Sequence, residues 1–80
     1  MCRSIHTLYN IKPAATQEEI HSASVQFVRK VSGYRKPSKI NELAFMKAVD
    51  EIEVACTRLL MALETNAPAR DRSQGISTRN

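Results

Sequence analysis

Six apolar residues, Phe45, Val49, Ile52, Cys56, Leu59 and Leu63, follow one another at intervals of four, three, four, three and four. No strand can use that spacing, because a strand turns its side chains to alternate faces. A helix gathers all six into one heptad-like seam. Met46 and Leu60 widen the seam on one side, and Ala48, Ala55 and Ala62 line the other. Lys47, Asp50, Glu51, Thr57, Arg58 and Glu64 form the outer face. The spacing predicts a helix over about residues 40–65, roughly 36 Å long, capped at its start by Ser38 or Asn41.

A second helix is written just upstream. Thr16-Gln17-Glu18-Glu19 reads as a capping box, in which the Thr16 hydroxyl accepts from the Glu19 N–H and the Glu19 carboxylate accepts from the Thr16 N–H. Ile20, Ala23, Phe27, Val28 and Val31 then make one apolar face, with Phe27 central and expected to pack near Val49 and Ile52. Ser24 falls within that face, where a serine hydroxyl usually bonds the carbonyl one turn back. Gly33 supplies a left-handed stop, and Arg29 and Lys30 suit the negative end of the helix dipole. The helix is expected over 17–32, followed by a short loop that contains Pro37.

Two helices and a short loop make an antiparallel hairpin, so the fold class is all-α. Two glycines and no tryptophan among 80 residues agree with that better than with a turn-rich β fold. Residues 1–66 are expected to form the single domain and 67–80 a disordered tail without an apolar period. A bare hairpin cannot cover so wide a seam. Residues 5–11 folded across it, or a second copy making a homodimer through the seam, are expected to complete the core. Apolar runs fall short of a membrane span, and the start of the chain lacks the apolar stretch of a signal peptide, so a cytoplasmic protein without membrane association is expected. Cys2 and Cys56 lie far apart without a CxxC or zinc spacing, which argues against a structural disulfide.

The stretches Met1-Cys2-Arg3-Ser4-Ile5 and Phe27-Val28-Arg29-Lys30-Val31-Ser32-Gly33-Tyr34-Arg35-Lys36-Pro37-Ser38, followed by Asn41 and Phe45, resemble a family of small bacterial proteins that carry a domain of unknown function. The resemblance covers about residues 1–68. It implies a bacterial cytoplasmic protein and brings no activity. A weaker likeness, to the J-domain of co-chaperones, rests on Leu8-Tyr9, Ala15-Thr16-Gln17-Glu18-Glu19-Ile20 and the order of elements. The His-Pro-Asp motif of that domain is replaced here by Lys36-Pro37-Ser38. That likeness therefore implies a helical layout alone.

Charge is unevenly placed. Arg29, Lys30, Arg35, Lys36 and Lys39 crowd into eleven positions with no acid among them, while the chain carries a net charge of +4. With Tyr34 and Ser38 they are the candidate anion or nucleic-acid site: the cations and the free N–H groups of the second helix for phosphate or carboxylate, the tyrosine for a base. The plainer reading is a solvated turn. Cys2, His6 and His21 are loosely spaced potential metal ligands, and Cys2 near Arg3 is a candidate reactive thiol. A plain terminal segment explains them as well, and no cofactor or bound metal is expected. Carboxylates such as Asp50, Glu51 and Glu53 read as a solvated face, and two helices make a poor cleft, so an enzyme is not expected. Three classes of function follow. One is a binding module whose basic loop engages nucleic acid or an acidic protein surface. Another is a structural homodimer without a ligand site. The third is thiol or metal chemistry at Cys2.

Overall fold

A computed structural model describes residues 5–72. In chain order it comprises β1 (Ile11–Lys12), α1 (Gln17–Ser32), a 3-10 turn (Lys39–Asn41), α2 (Glu42–Ala62) and β2 (Arg70–Asp71). The protein is a pair of packed helices whose flanking segments meet in a short parallel ladder.

Local signals set the limits of α1. The Glu19 N–H donates to the Thr16 hydroxyl at 3.1 Å, and the Thr16 N–H donates to the Glu19 carboxylate at 2.8 Å. At the other end Gly33 adopts φ +81°, and its N–H donates to the Arg29 carbonyl. Helix α2 departs from expectation at both ends. Neither Ser38 nor Asn41 caps it with a side chain. The Asn41 amide donates instead to the Ser38 hydroxyl, and the 3-10 turn leads into the helix. The helix ends at Ala62 rather than near residue 65, with Leu63 extended. The Thr65 hydroxyl then accepts from the Ala67 N–H, a side-chain turn that competes with helix continuation.

The core gathers Val28, Phe45 and Val49, with Val25, Ala48 and Ile52 packed against them. Val49 is wholly buried, and Ile20 and Ser24 are buried further along α1. The Ser24 hydroxyl donates to the Ile20 carbonyl at 2.9 Å, as its place on the apolar face suggested. The expected centre of that face needs correction. Phe27 is 48% exposed and Val31 71% exposed, and the buried line runs through Ile20, Ser24 and Val28. Polar bonds between the helices explain the rotation. Gln17 donates to Glu53 and Thr57, and His21 bonds Glu53. These contacts turn the Ser24 side of α1 inwards, where Ser24 is buried. Helix α1 thereby covers Phe45 and Val49 of the seam, while Leu59 and Leu63 remain about half exposed.

Residues 67–72, placed in the tail by sequence, fold back onto the lead-in. Ile11 pairs with Arg70 and Lys12 with Asp71. Asn10 takes a left-handed conformation, φ 56°, which asparagine tolerates better than most residues. Its side-chain amide donates to the carbonyls of Ala67 and Pro68, and its own carbonyl accepts from the Arg70 N–H. Leu8, Tyr9 and Ile11 of the lead-in are half-buried. Residues 73–80 lie outside the described residues.

Candidate anion-binding site

The basic site is assembled by the end of α1. Consecutive residues on a helix differ by about 100°, so Arg29 and Lys30 point to different sides of the last turn. Gly33 then reverses the chain, and the Tyr34 N–H donates to the Ser32 hydroxyl at 3.1 Å, which holds the turn. The result brings Arg35 back beside α1. Gln26, Arg29, Lys30, Gly33 and Arg35 line an open hollow of about 320 Å³. Tyr34 is 45% exposed next to it. Lys36, Ser38 and Lys39 are exposed beyond the hollow and do not line it.

The amides at the start of α2 contribute less than expected. The Asn41 N–H donates to the Ser38 carbonyl and the Glu42 N–H to the Lys39 carbonyl. The Ser38 hydroxyl is engaged by the Asn41 amide. The site is therefore one of side-chain cations rather than of a helix N-terminus. Among the described residues none of Arg29, Lys30, Arg35, Lys36 and Lys39 forms an ion pair. Their charge is left to solvent and counterions, which is the condition under which an anionic partner gains most by displacing those counterions.

The acidic residues that do have partners lie elsewhere. Glu53 accepts from Gln17 at 2.8 Å and is 2.7 Å from His21 Nδ1. The Gln17 hydrogen bond, helped by that of His21, holds the Glu53 carboxyl below the usual carboxylate range. Nothing local in the sequence signals this cluster, since its members are 32 and 36 residues apart. It gives His21, one of the three loosely spaced metal-ligand candidates, a carboxylate partner. His6 is exposed, and Cys2 lies outside the described residues. Among the described residues no three His, Cys, Asp or Glu side chains are grouped to hold a metal. Cys56 is a free, half-buried thiol on α2.

A small helical hairpin with an unpaired basic end is the class of molecule these features define. The chain belongs to the family described as uncharacterized conserved protein (DUF2277), which it matches over residues 1–77. No curated protein and no solved structure matches it. Among the described residues no helix is long and apolar enough to cross a membrane.

Proposed function

We propose that this protein is a non-catalytic binding module that engages an anionic partner through the basic end of its hairpin. Convergence of Arg29, Lys30 and Arg35 on one open hollow, with no neutralising carboxylate among the described residues, carries the reading. Lys36 and Lys39 extend the same positive surface, and Tyr34 adds an aromatic face for stacking. The phosphates of a nucleic acid and the carboxylates of an acidic protein surface both suit this arrangement. The same reading takes the protein to act in the cytoplasm, where both kinds of partner are met.

Fluorescence anisotropy with a labelled single-stranded oligonucleotide and a labelled polyglutamate peptide tests it. Binding to at least one probe should weaken steeply with salt. Replacing Arg29 and Arg35 together by alanine should lower affinity by about tenfold or more and, for the oligonucleotide, reduce the log–log salt slope by about 0.7 per lost phosphate contact. The helical circular dichroism should not change, because both side chains are exposed. Failure of both probes to bind at low salt overturns the reading, and so does a double variant that binds as tightly as the natural chain.

A further inference from the structure

The face of α2 turned away from α1 carries exposed apolar residues among its charges. Leu43 is 85% exposed, Val54 54% and Met61 81%. Their separations of eleven and seven residues place all three within about 20° of one another around the helix. Val54 and Met61 line a groove of about 630 Å³, with Asp50 and Arg58 among its walls and Gln17 of α1, bonded to Glu53 and Thr57, closing its inner edge. Neither Asp50 nor Arg58 forms an ion pair among the described residues. Burial in the single chain is sparse. Four buried hydrophobic residues make its core, against eleven large hydrophobic residues left exposed among those described. That balance is poor for so small a domain.

We propose that this groove binds a second copy of the chain, with the two α2 helices antiparallel about a two-fold axis at Val54. The charge pattern selects that occupant. Asp50 stands four residues before Val54 and Arg58 four residues after it, about 6 Å to either side along the helix. A two-fold axis through Val54 sets Asp50 of each copy against Arg58 of the other, so one surface patch complements itself. The same operation lays Met61 against the aliphatic stem of Lys47, each seven residues from the axis. A parallel pairing would set Asp50 against Asp50 and Arg58 against Arg58, and it is disfavoured for that reason. This face is not the seam expected from sequence, whose first half α1 covers. The inference is independent of the basic hollow, since no residue lines both.

Sedimentation equilibrium over protein concentrations from about 10 µM to 0.5 mM tests it. The natural chain should reach roughly twice its 9.0 kDa mass. Val54→Asp should sediment as a monomer with its helical circular dichroism intact, because the site is exposed. Asp50→Arg and Arg58→Asp should each weaken association by about tenfold or more, through like charges opposed twice across the axis. The double variant Asp50→Arg/Arg58→Asp should associate again, because both pairs re-form with their signs exchanged. A natural chain that stays monomeric at the highest concentration overturns the proposal and leaves the groove to residues beyond Arg72 or to a different protein. A dimer that survives Val54→Asp, or a double variant no better than the single ones, overturns it equally.

Discussion

Arg72 closes onto Glu19, so that the carboxylate capping the start of α1 also anchors the returning end of the chain. The same guanidinium donates to the Pro13 carbonyl at 2.9 Å. The Glu19–Arg72 pair thereby links three segments, the cap, the lead-in and the stretch after α2. The Arg72 hydrogen bond, followed by the Thr16 N–H, holds the Glu19 carboxyl below the usual carboxylate range.

A pH dependence follows from that depressed value. The unfolded chain binds a proton at Glu19 near the ordinary pKa of about 4.3, while the folded chain resists protonation. The stabilisation is complete above that pKa and is lost as pH falls through the lower folded value. Glu53 acts in the same direction. Urea midpoints measured at about pH 6 and about pH 3 should therefore fall for the natural chain and fall less for Arg72→Ala. An identical drop in the two proteins would show that Arg72 does not bind Glu19 in solution.

Val49 and Phe27 should exchange the importance that sequence assigns them. Val49 is wholly buried between the helices and Phe27 is 48% exposed. Val49→Ala is expected to cost about 2–3 kcal/mol, and Phe27→Ala only about 1–1.5 kcal/mol, since much of the ring stays in water in the folded state. Urea denaturation of both variants decides the order. A larger loss at Phe27 would mean that α1 is rotated towards the face its apolar residues suggested.

Gly33→Ala isolates backbone strain. No atom lies within 4 Å of the position a Cβ would take, so steric crowding adds nothing. The φ of +81° should cost about 1–2 kcal/mol once a side chain is present. Gly33→Asn should recover part of that, because asparagine tolerates the left-handed region better. If the alanine variant melts at the natural temperature, the turn does not use this conformation.

Ser24 should tolerate loss of its hydroxyl and resist enlargement. Its Oγ–H bonds the Ile20 carbonyl, which the helix already uses, so Ser24→Ala should shift stability by no more than about 0.5 kcal/mol. Ser24→Leu should cost about 1–3 kcal/mol by overfilling a buried position. Thermal melts of the two variants test the pair, and a well-tolerated leucine would contradict burial at this point.

The limits of α1 could be read directly because each depends on partners within four residues: Thr16 with Glu19, Gly33 with Arg29. The basic run from Arg29 to Lys39 was equally plain, since clustering of charge along the chain survives a tight turn. The start of α2 was less legible, as Ser38 and Asn41 were both competent to cap it and bonded each other instead. Which line of α1 becomes buried was not local information at all. Ile20 and Val28 serve either rotation, and the choice between Ser24 and Phe27 fell to the Gln17 and His21 bonds with Glu53, 36 and 32 residues away. The pairing of Ile11 with Arg70 and the closure of Arg72 on Glu19 have no periodic signature, because single polar contacts across more than fifty residues leave none. Sequence alone therefore determined where the helices lie and where positive charge collects, through short-range hydrogen bonding and spacing. Tertiary structure decided how the helices are turned against each other, which apolar residues stay outside, and that the chain after Asn66 folds back, because those outcomes depend on contacts that exist only once distant segments meet.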